Sequence, residues 1–131
     1  MNTAIAKPGI SRLGQVSINV HDLARATAFY RDTLGLSLLF SAGHAAFFDC
    51  AGVRLMLATP EQPDLDHPGS ILYFMVADID AATDRLRAGA VRLEGEPHVI
   101  ARMPDHDLWM VHFYDPEGNL QALMSEVKKS A

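Results

Sequence analysis

The sequence predicts an α+β fold in which two tandem βαβββ modules form a cupped mixed sheet, and three observations predict it. The segment Val20-His21-Asp22-Leu23-Ala24-Arg25-Ala26-Thr27 returns as Val76-Ala77-Asp78-Ile79-Asp80-Ala81-Ala82-Thr83, with Val, Asp, Ala and Thr kept in place. A D-x-x-G turn between apolar stretches, Asp49 to Gly52, returns as Asp115 to Gly118. In each copy the first apolar run is strand-like and the next is helix-like. A duplicated supersecondary unit buries its apolar face against its twin, so function is sought in a cleft shared by the two copies.

The elements follow in chain order. Residues 1–11, with Pro8-Gly9, read as a flexible N-terminal leader, and a single domain is expected over 12–127. Gln15 to Val20 alternates polar and apolar side chains, the period of a half-buried strand. Asp22 then reads as an N-cap, with Ala26, Phe29, Tyr30 and Leu34 at helical spacing and Gly35 as the stop. Leu36 to Phe40, Ala45 to Asp49 and Val53 to Ala58 read as strands, completing module one over about 13–59. Three prolines and no periodicity mark 60–69 as a linker. Module two, about 70–126, restarts with a strand from Ile71 to Val76 and a helix capped by Asp78 or Asp80 that ends at Gly89. Val91 to Leu93, Val99 to Arg102, Leu108 to Tyr114 and Leu120 to Met124 supply its further strands. Module two has gained residues before its last turn, and these read as an inserted loop near Pro97 to Asp107.

Composition narrows the function classes. Sixteen acidic against eleven basic residues give a formal charge of −5 with no basic cluster beyond Lys128-Lys129, which argues against nucleic acid as a partner. The single cysteine, Cys50, excludes an intrachain disulfide and a thiolate metal cluster. The longest apolar run, Ile71 to Ala77, is too short to span a bilayer, so no membrane partner and a cytoplasmic location are expected.

One ordered set of residues is more specific. Val20-x-Asp22-Leu23, then Phe29-Tyr30-Arg31-Asp32-x-Leu34-Gly35-Leu36, then Phe113-Tyr114-Asp115-Pro116-Glu117-Gly118-Asn119 resembles the vicinal oxygen chelate superfamily. That superfamily includes glyoxalase I, bleomycin and fosfomycin resistance proteins, extradiol dioxygenases and methylmalonyl-CoA epimerase. The resemblance covers residues 13 to 126 and implies a homodimer with a divalent metal in a cupped sheet, where it chelates two neighbouring substrate oxygens. It also places the metal ligands at Gln15 and Ile71 on the first strands and at Met56 and Ala122 on the last ones. Ile and Ala carry no donor, and a thioether suits the hard or borderline divalent ions poorly. The usual metal site is therefore expected to be degenerate, with no metal ligand and no cofactor assigned. A divalent Zn, Ni, Mn or Fe ion held by His106, His112 and Gln15 is the alternative.

Alternation names what lines the cup instead. Gln15, Ser17 and Asn19 share a face, as do Arg54 and Met56, Ile71 and Tyr73, and Ala122 with its second neighbours. The resemblance to fosfomycin-resistance proteins adds Met110 and His112, and the inserted stretch adds Arg102, His106 and Trp109. Such a lining suits a small organic ligand with an anionic or carbonyl oxygen, clamped by Arg54 unless Asp49 pairs with it. His112 reads as a proton carrier or a hydrogen-bonded core residue. His106, between Asp105 and Asp107, reads as a tuned base or as part of a solvated turn. Trp109 is a stacking wall or a core plug. Two functions follow: a binder of a small ligand, or a lyase, isomerase or dioxygenase-like enzyme using His112 or His106.

Overall fold

The computed structural model describes residues 7–129. The expected leader lies in part outside them; residues 7–11 are exposed and without regular structure. The order of elements is β1 (Gln15–Asn19), α1 (Leu23–Ala28) running into a π-helical turn (Phe29–Thr33), β2 (Ser37–Ala42), β3 (Ala45–Cys50) and β4 (Val53–Ala58). A short 3₁₀ turn (Pro63–Leu65) leads to β5 (Tyr73–Met75), α2 (Ile79–Ala88), β6 (Arg92–Arg102), β7 (His106–Tyr114) and β8 (Leu120–Lys128). Two four-stranded mixed sheets result, β1-β4-β3-β2 and β5-β8-β7-β6. In each, the first strand of the module lies parallel to the last.

The duplicated residues do the same work twice. Asp22 accepts a hydrogen bond from the Arg25 N–H at 3.1 Å and Asp78 one from the Ala81 N–H at 3.1 Å, so both are helix N-caps. The D-x-x-G turns also match: Asp49 accepts from the Gly52 N–H, and Asp115 accepts from the Glu117 and Asn119 N–H groups. Gly52 and Gly118 have φ of 92° and 80°, a region open to glycine at little cost.

Side chains of one parity on each sheet pack under the helices. Ile18, Val20, Phe48, Leu55 and Leu57 close over Tyr30 and Ala26 in module one. Val111, Phe113 and Leu123 close over Ile79 and Leu86 in module two. Phe29, Leu34 and Phe74 pack against both clusters, so the helix-side faces of the two modules share one core. A polar clasp joins the modules beside it. The Tyr30 hydroxyl donates to buried Asp115 at 2.7 Å, and the Asn119 amide donates to the Asn19 carbonyl at 3.2 Å. Burial and the Asp115 carboxylate push the Tyr30 phenol far above its ordinary value, so it remains a donor.

Three expectations are corrected. The residues gained in module two form no loop: β6 and β7 are the arms of one long hairpin, closed at its tip where the Met103 N–H donates to the His106 carbonyl at 2.8 Å. Pro97 marked the start of the expected loop, but β6 is an edge strand, where a missing N–H and an irregular register are tolerated. The first strand of module two spans Tyr73–Met75, shorter than expected, because the Gln121 side chain takes the Leu72 N–H at 2.8 Å. Finally, what the two modules share on their helix sides is an apolar core rather than an open cup, and the clefts lined by both modules are small, about 190 Å³ each.

Candidate functional site

The face of sheet one opposite the helices carries three rows of side chains set by register. The first row holds Gln15, Arg54 and Asp49; the second holds Ser17, Met56, Phe47 and Phe40; the third holds Asn19, Ala58, Ala45 and Ala42. Polar, apolar and small rows thus succeed one another along the strands. Arg54 donates from Nε to Gln15 Oε1 at 2.9 Å and stands 5.6 Å from the centre of the Phe47 ring. The Gln15 amide nitrogen points at Met56 Sδ, 3.8 Å away. Among the described residues no carboxylate lies within ion-pair distance of Arg54, so Asp49 does not claim it.

Beyond the small row the sheet opens into a cleft of about 350 Å³ lined by Ser17, Asn19, Met56, His44, Leu65 and His67 among others. Its wall is the linker. The Asn19 amide donates to the Leu65 and His67 carbonyls, the latter at 2.9 Å, and His44 pairs with Glu61. His44 and His67 thus border a cavity.

The face of sheet two opposite its helix carries Tyr73, Ala122, His112 and Glu94 in one row and Met75, Met124, Met110 and His98 in the next. Tyr73 and His112 flank Ala122 from its two neighbouring strands, and their ring centres stand 6.1 Å apart. Beneath this pair Ala122 is fully buried. Met75 is 57% and Tyr73 49% exposed, so the β5 side of this face is open among the described residues, whereas Met110 is buried.

The remaining sequence candidates fall elsewhere. Trp109 lies on the opposite face of β7 from His112 and packs into the core under α2, so it is a core plug. Arg102 and Asp107 are a cross-strand pair on that same side, joined at 3.2 Å. His106 shares the parity of His112 but sits six residues along one unbroken strand, roughly 20 Å away. There it pairs with Asp105 at 2.8 Å; the His106 hydrogen bond first, then a backbone bond, holds the Asp105 carboxyl below its ordinary range. His106, His112 and Gln15 are therefore not brought together. Among the described residues no three His, Cys, Asp or Glu side chains cluster as a metal ion would need.

The four positions that the resemblance assigns to a metal carry little to hold one. Gln15 offers one amide oxygen, already accepting from a guanidinium; Met56 offers a thioether; Ile71 and Ala122 offer no donor atom.

The tandem βαβββ order is matched by known proteins. The profile of the Glyoxalase/Bleomycin resistance protein/Dioxygenase superfamily matches residues 12–123. The chain belongs to this superfamily. Its sequence is similar to uncharacterized protein YraH of Bacillus subtilis (strain 168), with 29% identity over 126 residues, covering 83% of this chain and 94% of that protein. Among solved structures it resembles a lactoylglutathione lyase from Agrobacterium tumefaciens, at 27% identity and TM-score 0.71, covering 88% of this chain and 94% of that one. It also resembles the fosfomycin resistance protein FosX from Listeria monocytogenes, at 22% identity and TM-score 0.69, covering 88% and 93%. The second likeness speaks to fold alone. No described helix is long and apolar enough to cross a membrane.

Proposed function

We propose that this chain is a small-molecule-binding member of the superfamily whose metal site is degenerate, and that it binds an organic ligand through an anionic or carbonyl oxygen. One observation carries the reading. Gln15 Oε1, the sole oxygen among the four metal positions, accepts a hydrogen bond from Arg54. A guanidinium at that distance repels a divalent cation and attracts an anionic oxygen to the same place. The residues present do not fit the metal that the fold family implies. Where the fold family sets a metal ion, the chain sets a cation of its own.

The binding cup takes two copies. Each sheet face that bears candidate residues is open in the single chain, with Phe40 47%, Tyr73 49% and Met75 57% exposed. A homodimer that sets the Gln15/Arg54/Met56 face of one protomer against the Tyr73/His112/Met110 face of its partner covers these side chains and closes the cup. Static light scattering checks this: a mass of two chains is expected, and a monomer at all concentrations would contradict it.

A second reading, acid-base catalysis, has its own support. His112 lies across from Glu94 and beside Tyr73, so the imidazole has a carboxylate and a phenol within its row. In that role His112 would carry a proton at a ligand carbon or oxygen while Arg54 stabilises the oxyanion. This makes the chain lyase- or isomerase-like without a metal.

The binding reading is tested by a thermal-shift screen of small organic acids and carbonyl compounds against protein dialysed with chelator. Ligands that raise the melting temperature with chelator present are expected. Stabilisation that appears only after a divalent cation is added would overturn the reading.

A further inference from the structure

The apolar row beside Arg54 is built by an irregularity that the core does not need. Leu38 pairs with Phe48 and packs into the core, whereas Phe40, two residues on, pairs with Phe47 on the opposite face. In an unbroken strand residues two apart share a face, so the extra residue Leu39 forms a bulge that turns Phe40 outward. The result is a Phe40–Phe47 stack with ring centres 4.5 Å apart and planes 24° apart. It continues across β3 into Met56, leaving Phe40 47% exposed. A bulge that moves an aromatic ring from core to surface loses burial and produces a flat, open platform.

At one end of that platform stands Arg54. Its Nε is held by Gln15, its guanidinium carbon stands 5.6 Å from the Phe47 ring centre, and both terminal nitrogens are without a partner among the described residues. This is the geometry of a fork waiting for a two-oxygen acceptor. Asp49, the cross-strand neighbour of Arg54, adds a negative charge that disfavours a dianion such as a phosphate monoester. At the other end the three alanines leave the floor low where the cleft of about 350 Å³ opens. Ala58 lies four residues along β4 from Arg54, a span of roughly 13 Å.

We infer that the ligand is an elongated, flat monocarboxylate: its carboxylate lies on Arg54, its aromatic body on Phe40–Phe47–Met56, and its far end in the cleft beside Asn19. This rests on the binding reading of the preceding section and specifies its ligand.

The probes are biphenyl-4-carboxylate and its uncharged amide, titrated into the full chain by calorimetry and by NMR of ¹³C-methyl methionine, whose Met56 signal reports this face. The carboxylate is expected to bind at least about tenfold more tightly than the amide and to shift Met56. Arg54→Gln should bring the two affinities together, and Phe40→Ser, with an unchanged mass by light scattering, should weaken both. Equal affinity of acid and amide for the wild type, or an unchanged preference in Arg54→Gln, would overturn the inference and leave the cup reading standing. The same holds if neither probe shifts Met56 while a compound from the thermal screen does. If no compound of either kind shifts Met56, both readings fall.

Discussion

The chemistry of this chain turns on a few residues whose neighbours can be named. Alternation grouped Gln15, Ser17 and Asn19, Arg54 and Met56, and Tyr73 and Ala122 as the lining of a cup, and the register sets Gln15 beside Arg54, Ser17 beside Met56 and Tyr73 beside Ala122. It could not reveal Phe40, because a bulge breaks the period on which such reasoning rests, nor Phe47, whose face follows from pairing with Met56. Trp109 was ambiguous for a related reason: a large ring signals burial without saying which side of the strand it takes. His112 stands between Glu94 and Tyr73, so His112→Ala is expected to weaken a bound ligand about tenfold while leaving the urea midpoint nearly unchanged. Calorimetry with any ligand from the thermal screen checks the first part. An unchanged affinity would remove His112 from the site.

Elements were legible where local chemistry decides them. Both N-caps, the stop at Gly35 and the D-x-x-G turns depend on a single side chain or on glycine's freedom at positive φ, and these are written in the sequence; α2 ends differently, with Gly89 at φ −85° and Ala90 taking the positive φ of 57°. The β6–β7 hairpin was not legible. Its Gly95 and Pro97 look like loop residues, and only the edge position of β6 makes them acceptable within a strand. Asp78 caps α2 through one bond to the Ala81 N–H. Asp78→Ala is therefore expected to cost about 1 kcal/mol in urea denaturation, without changing ligand affinity. A loss of binding in that variant would mean that α2 supports the site in a way its cap does not explain.

At the level of the whole molecule, the repeat foretold two modules but not how they meet. Duplication alone permits a cleft between the polar faces or a core between the helix-side faces. The choice was made by Phe29, Leu34 and Phe74, which belong to both clusters. Glu117 reinforces that junction. Its side chain is only 4% exposed and accepts from the His21 and Asp22 N–H groups and from Arg25. Burial alone would raise its pKa, but these donors together outweigh burial and hold it below its ordinary value. A carboxyl lowered in the folded state contributes stability that is complete above its unfolded value of about 4.5 and is lost as pH falls through the lower folded value. Glu117→Gln should thus lower stability at neutral pH and flatten the acid limb of a melting-temperature profile. An unchanged acid limb would show that the clasp does not depend on charge.

The central claim is that Arg54 has taken the place of a metal. The most direct test is the metal content of untagged protein, followed by melts with added Zn²⁺, Ni²⁺, Mn²⁺ and Fe²⁺. The account predicts substoichiometric metal and no rise in melting temperature with any of the four ions. Near-stoichiometric metal, or a saturable rise with one of them, would contradict it.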